Sequence, residues 1–312
     1  MRLHLPKRWQ IPTVPPAALT IGATISVQLG SALSKRLFAL IDPGAVVFMR
    51  LGFGALILLL LWIPRRATFR APTSAASHWY VRYGLVALFG LTIAAMTLLF
   101  YQAIARLPLG VAVTLEFVGP LGVAVVGSRR WLDLLWVALA AAGILLLSPW
   151  NPFGATSNGR LDPLGVALAL LAGAFWGVYI ILSARVGQAF QGSTGLALAL
   201  FVGSLALAPI GISAAGMRLL SPEILAVGLG VALLSSVIPF SLELVALRSL
   251  PTRVFGILMS LEPAIATLIG FLTLHETLAL TPLIAMTLVS LASLGASRFR
   301  PASETASPGA EL

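Results

Sequence analysis

The sequence has no cysteine, only 3 histidines, and charged residues make up just 10% of it. Without cysteine there is no disulfide framework, no thiolate metal site and no thiol nucleophile. The histidines, His4, His78 and His275, fall at expected helix ends or loops, so no helix offers a Ser-His pair, and no cluster of Asp, Glu or His has metal-ligand spacing. No glycine-rich phosphate loop followed by Lys and Ser or Thr occurs, which excludes ATP-driven work by this chain alone. An enzyme, a bound metal and a cofactor are therefore not expected. The net charge of +10 comes from basic residues set singly or in pairs at the ends of apolar runs, with no basic tract interleaved with aromatics, so no nucleic-acid partner is expected either.

What is abundant is apolar surface: 59% of the 312 residues are hydrophobic and the mean hydropathy is +1.00. The apolar runs are about 20 residues long, the length a bilayer core requires of a helix, and no long polar block leaves room for a soluble domain. The expected fold is an all-α membrane protein, surrounded by membrane lipid. It has ten transmembrane helices at about 15–34, 44–63, 80–103, 108–127, 132–149, 163–184, 194–213, 223–247, 252–272 and 277–297. The basic N-terminus, Met1 to Pro16, superficially resembles a signal peptide, but the run that follows is too long and is read as the first span. With a cytoplasmic N-terminus, fourteen basic loop residues fall inside and five outside (Lys35, Arg36, Arg106, Arg160 and Arg218), which satisfies the positive-inside rule and puts both termini in the cytoplasm. Five spans per half is an odd number, so the second half (163–297) must be inserted upside down relative to the first (1–149). The Pro-, Gly- and Asn-rich stretch Trp150 to Arg160 joins them. The polar, aperiodic residues 298–312 are expected to be a disordered cytoplasmic tail.

The halves share one stretch. Leu107-Pro108-Leu109-Gly110-Val111-Ala112-Val113-Thr114-Leu115-Glu116-Phe117-Val118-Gly119-Pro120 is matched by Leu250-Pro251-Thr252-Arg253-Val254-Phe255-Gly256-Ile257-Leu258-Met259-Ser260-Leu261-Glu262-Pro263. The leading and the closing prolines are both 143 positions apart, so the copies align without a gap. A proline and an ionisable group in mid-span, repeated, is the pattern of a carrier whose substrate site lies between duplicated halves. A weaker echo links Ser34-Lys35-Arg36, ending the first span, with Ser183-Ala184-Arg185, ending the sixth.

Ionisable groups well inside the spans are Arg50, Glu116, Glu243 and Glu262. A charge at the centre of a spanning helix costs on the order of 2.5–3.5 kcal/mol, so each is expected to face a partner, a cavity or water. Arg50 and Glu116 fall within roughly 3 Å of each other in depth, which makes an ion pair available to them. Glu262 falls near the midplane. Glu243 falls near the cytoplasmic end of its helix, where Arg248 and Arg253 are close enough to neutralise it. Three ionised carboxylates against one guanidinium is a poor balance in hydrocarbon, so at least one of Glu116, Glu243 and Glu262 is expected to carry a proton. Pro120, Pro239 and Pro263 interrupt these helices and free backbone carbonyls beside the glutamates. Helical spacing marks Ser26, Gly30 and Ser34, Thr97 and Tyr101, Trp176, Tyr179 and Ser183, and Phe255, Met259 and Glu262 as cavity-facing stripes, although a stripe of small residues equally suits helix packing.

The two repeat stretches, with Ser128-Arg129-Arg130 after the first and His275-Glu276-Thr277-Leu278 after the second, resemble the EamA-type branch of the drug/metabolite transporter superfamily. Arg50, Trp176 to Tyr179 and Pro239 to Glu243 extend the likeness over nearly the whole chain. The resemblance implies the ten-helix inverted repeat. It also implies export of small neutral amino acids, threonine and homoserine, across the bacterial inner membrane by exchange with protons. The family pattern has Gly where His275 stands, a departure that bears on gating or pH response.

For a zwitterionic amino acid the site reading assigns Arg50 to the carboxylate and Glu116 or Glu262 to the ammonium, with Tyr101, Trp176, Tyr179 and Met259 shaping the pocket and Glu116, Glu243 and Glu262 available to protons. Carriers for nucleobases, sugars or other amino acids remain alternatives. Sugar phosphates would need more cations than Arg50. A lipid-modifying enzyme would need a ligand cluster at one interface, and a scaffold would have no use for four buried ionisable groups.

Overall fold

The computed structural model describes residues 15–62, 79–126, 133–147, 161–190, 194–247, 250, 252–277 and 279–298, and every regular element among them is helical. Helix starts follow from local chemistry. Pro16 opens α1 (Pro16–Leu37) at a position whose N–H would have no partner. Asp42 precedes α2 (Pro43–Trp62) and accepts from the Gly44 N–H at 2.7 Å. The next elements are α3 (Trp79–Ile104), then α4 (Leu109–Glu116) and α5 (Val118–Val126), which form one rod broken at Phe117, then α6 (Asp133–Leu146). Asp162 caps α7 (Pro163–Ala189) by accepting from the Leu164 N–H at 3.0 Å. There follow α8 (Thr194–Ala215), a 3₁₀ turn and α9 (Pro222–Ala232), whose cap is the Ser221 hydroxyl. A π-turn over Leu233–Val237 leads into α10 (Ile238–Leu247). The chain closes with α11 (Thr252–Met259), α12 (Glu262–Leu274) and α13 (Leu280–Arg298).

Among the described residues, 7 stretches are helical, long and apolar enough to cross a membrane. The expected fourth, fifth and tenth spans coincide with shorter apolar helices, Leu109–Val123, Leu134–Leu146 and Leu280–Ala296, of 10–17 residues. The architecture is that of a multi-pass helical membrane protein. The linker Trp150–Arg160, Ser128-Arg129-Arg130, the tail from residue 299 and most of the basic residues assigned to the cytoplasm lie outside the described residues.

Helices pair across the chain rather than with their neighbours in sequence: α2 packs on α8, α3 on α7, α6 on α13, α4 on α12, and α1 along α9 and α10. Large apolar side chains such as Leu60, Leu145, Leu205 and Leu272 point outward. With apolar groups outside as well as inside, burial of oil alone cannot order the helices, so close backbone approach and polar contacts carry the packing. The approach is closest where α7 crosses the break between α4 and α5. A Cβ added to Gly173 would meet the Glu116 carbonyl oxygen at 2.5 Å, and one added to Gly119 would collide with the Gly173 carbonyl. Backbone cannot step aside as a flexible side chain can. Gly173→Ala is therefore expected to cost about 1–3 kcal/mol, read as a lower unfolding temperature of the detergent-solubilised protein, and an unchanged temperature would show that this crossing is looser than described.

Candidate functional site

The helices surround a partly open cavity of about 450 Å³, within the range of roughly 300–1,000 Å³ of small-molecule sites. Its walls come from α1, α2, α3, the α4–α5 rod, α7, the π-turn with α10, and the α11–α12 rod, with a single side chain from α8 (Leu200) and two from α13 (Ser293 and Ala296). Each of the three prolines marks an irregularity that shapes it. Pro120 cannot donate to the Glu116 carbonyl four residues back, and α4 ends there. Pro263 leaves the Met259 carbonyl in the same state, and α11 ends at Met259. Pro239 follows the π-turn and has no N–H for the Ser235 carbonyl.

That freed Ser235 carbonyl accepts from Arg50 Nη2 at 2.9 Å. Arg50 Nε donates to Ser236 Oγ at 3.2 Å and Nη1 to the Tyr101 hydroxyl at 3.1 Å, with the guanidinium carbon 5.4 Å from the Tyr101 ring centre. Tyr101 is in turn 2.9 Å from Ser34 Oγ, which lies 2.7 Å from the Gly30 carbonyl. Since Ser34 has one hydrogen and gives it to Gly30, the Tyr101 hydroxyl donates to Ser34 and accepts from Arg50. Three of the five N–H donors of Arg50 are thus committed to the protein, and one on each Nη is left for the cavity. The ion pair open to Arg50 and Glu116 is not formed: neutral dipoles hold the guanidinium, and Glu116 makes no hydrogen bond or ion pair with any described residue.

The three carboxylates reach the same cavity. Glu116 closes α4 and Glu262 opens α12, and each is buried apart from the cavity. Glu262 lies within electrostatic reach of both Glu116 and Glu243, and Arg50 within reach of Glu116. Glu243 lies about one turn from the end of α10. It faces the cavity from α10, beside Tyr179, and the side chains of Arg248 and Arg253 fall outside the described residues. Glu262 Oε1 accepts from Gln28 Nε2 at 3.0 Å.

Trp176, Tyr179 and Met259 line the wall as expected. Trp176 meets Phe117 edge-on at 5.4 Å and Tyr179 stacks on Phe89 at 5.2 Å, so both rings are braced from behind. Tyr101 needs correction: it is fully buried and stands behind Arg50, so it positions the guanidinium rather than shaping the pocket. The stripe on α1 is also shifted. Ser26 donates to the Leu234 carbonyl at 2.7 Å, Gly30 abuts Ser235 and Ser34 holds Tyr101, while Val27, Gln28 and Ser31 face the cavity. The small residues serve close packing, and the residues beside them are left to line the space. Helical spacing missed Ser235 and Ser236 because the π-turn adds a residue to the turn and breaks the 3.6-residue period. Gln28, an amide in mid-span, was the one overlooked signal.

Beyond Ser34 on α1, a tie joins three helices. Lys35 Nζ donates to Glu276 Oε1 and to the Leu107 carbonyl, both at 2.6 Å, and the Leu109 N–H donates to Glu276 Oε2 at 2.8 Å. Glu276 thereby caps α4, where a carboxylate is favoured, and joins α1, α4 and α12. His275 is exposed and takes φ 56° at the end of α12, where the Glu276 N–H reaches the Gly270 carbonyl. A position of positive φ is one that glycine fills without strain, which accounts for the Gly of the family pattern; His275 acts here as a helix terminus.

A polytopic helical protein with opposite charges facing one cavity at repeated helix breaks is built as a carrier. Comparison with known proteins places it. Residues 163–298 match the EamA-like transporter family. The chain is 39% identical over 288 residues to the threonine/homoserine exporter RhtA of Salmonella typhimurium, covering 92% of this chain and 93% of that one, and 38% identical at the same coverage to RhtA of Escherichia coli. It is 25% identical to the transporter YwfM of Bacillus subtilis over 77% of this chain and 79% of that one. A crystal structure 17% identical in sequence superposes with a TM-score of 0.56 over 90% of this chain and 96% of its own. The chain belongs to the EamA-like transporter family.

The Arg50 anchorage has a direct test. Arg50→Lys and Tyr101→Phe are each expected to destabilise the solubilised protein, the first by about 1.5–3 kcal/mol because a bond to a charged group is lost. The double variant should cost less than the sum of the two, because both remove the contact between Arg50 and the Tyr101 hydroxyl. Additive losses in a thermal unfolding cycle would disprove the coupling.

Proposed function

We propose that this protein exports small neutral amino acids, threonine and homoserine among them, across the bacterial inner membrane by alternating access in exchange for protons. In this reading ten spans form an inverted repeat of the halves 1–149 and 163–297, and both termini lie in the cytoplasm. The observation that carries it is the pairing of charge with size: one guanidinium with two uncommitted N–H groups faces Glu116 and Glu262 across a cavity of about 450 Å³. A zwitterionic amino acid brings a carboxylate for Arg50 and an ammonium for Glu116 or Glu262. The RhtA relatives, 38–39% identical over 92% of the chain, support the substrate class. The crosswise helix pairing supports the duplicated architecture, since exchanging the halves maps α2–α8 and α6–α13 onto themselves and α3–α7 onto the pairing of α1 with α9 and α10.

Charge balance supports proton exchange. With Glu116, Glu243 and Glu262 against Arg50, the empty cavity approaches neutrality only when protons are bound, and an arriving ammonium takes the place of one. Substrate and proton then compete, which is the requirement for exchange. Carriers of other neutral metabolites remain a second reading. Phosphorylated sugars are disfavoured because Arg50 is the sole cation among the described lining residues. The tie of Lys35 to Glu276 is the closed outer gate of an inward-accessible state.

Two measurements test these points. Proteoliposomes preloaded with labelled threonine or homoserine should release them faster when the opposite side is acidic. Glu116→Gln should lower gradient-driven release by about ten- to a hundredfold, the value of a charge-assisted hydrogen bond. If neither amino acid moves while other metabolites do, the substrate assignment is wrong. For the gate, the cysteine-free background allows Met259→Cys to be labelled by an impermeant maleimide from either side. Adding Glu276→Gln should raise outer-side labelling several-fold, and no change would rule the tie out as the gate.

A further inference from the structure

Most hydroxyls on the described helices are used up locally. Thr20, Thr24, Thr92, Thr114 and Thr267 each donate to the carbonyl four residues back, the bond a hydroxyl on a helix finds by default. Ser31 and Ser235 do not. Both sit on the cavity wall, 0% and 1% exposed, and neither hydroxyl has a hydrogen-bond partner. One turn before Ser31 on α1 is Gln28, 1% exposed, whose Nε2 is spent on Glu262 while its Oε1 is unpartnered, as is Glu262 Oε2. Burying a polar atom without a partner is costly, and folded proteins rarely tolerate a group of them. These line one cavity, which marks them as reserved for something that enters it.

We infer that Gln28, Ser31 and Ser235 form a hydroxyl-recognition subsite that makes the carrier select amino acids bearing a side-chain hydroxyl. This rests on the amino-acid reading above and deepens it. A substrate hydroxyl both donates and accepts, as each serine does, while Gln28 Oε1 can only accept; together they offer an entering O–H both kinds of partner. Gln28 is fastened to Glu262, the candidate for the ammonium, so a hydroxyl on the carbon next to the amino-bearing one falls beside it. A hydroxyl one carbon further out has Ser31, one turn along α1, and Ser235, which abuts Gly30 on the same helix. Leu51, Ile93 and Phe240 on the same wall are apolar and offer a hydroxyl nothing. A pocket that hydrogen-bonds a substrate hydroxyl discriminates strongly against the analogue without it, because its own polar atoms are then left dry.

The test is competition against labelled threonine in proteoliposomes, using valine, the methyl isostere of threonine, and norvaline, that of homoserine. The unmodified carrier should bind each isostere at least about tenfold more weakly than its hydroxyl counterpart, and Ser31→Ala or Ser235→Ala should each shrink that preference by about threefold to tenfold, as expected for loss of a neutral hydrogen bond. The preference is a ratio within one preparation, so a poorly folded fraction does not move it. Equal affinity for threonine and valine in the unmodified carrier overturns the subsite while leaving amino-acid export intact, as does a preference that survives in both serine variants. If no amino acid competes at all, the export reading falls and takes the subsite with it.

Discussion

A helix in a membrane must satisfy its own backbone, and much of this structure follows from the places where it cannot. Pro239 removes one N–H from the helix that carries Ser235, and the carbonyl left over becomes a ligand for Arg50. Ser26 occupies the neighbouring Leu234 carbonyl. Through Arg50 the defect extends to Tyr101 and from there to Ser34 on α1, so that four separate helices are tied to one interruption. A guanidinium that would be expensive in hydrocarbon is thereby made part of the scaffold and still keeps donors free.

The duplicated stretch shows a second use of the same device. In the gap-free alignment Glu116 falls opposite Met259 and Glu262 opposite Gly119, so each pair of equivalent positions holds one carboxylate. The glutamates are not equivalent by repeat symmetry: one ends a helical segment and the other begins one. Their environments differ accordingly. Glu262 is held by Gln28, whereas Glu116 has no hydrogen-bond partner among the described residues and its own carbonyl is covered by Gly173. The free position opposite Glu262 is a glycine because α7 passes there too closely for any side chain. Two structurally similar breaks thus produce one restrained and one unrestrained carboxylate, a distinction suited to dividing proton and substrate duties.

Much of this was legible beforehand. Charge is so rare in the spans that Arg50, Glu116, Glu243 and Glu262 stood out without any structure, and all of them line the cavity. Aromatic residues at helical spacing on α7 likewise face it. The errors have a common origin. Depth alone made an ion pair of Arg50 and Glu116 available, because depth ignores rotation about the helix axis. Period alone put Ser26, Gly30 and Ser34 in the wall, when closeness to the π-turn and to Tyr101 made them contact residues.

The sequence by itself determined that the chain is helical and membrane-embedded, where its helices break, and which residue types are buried at a cost, because length, hydropathy and proline act locally and need no partner. Only the tertiary structure decided which partner each buried group takes. Hydroxyls and carbonyls are interchangeable in a sequence until packing brings particular ones within 3 Å, and the choice of Ser235 over Glu116 as the neighbour of Arg50 is made by helix rotation and a π-turn that no periodicity encodes.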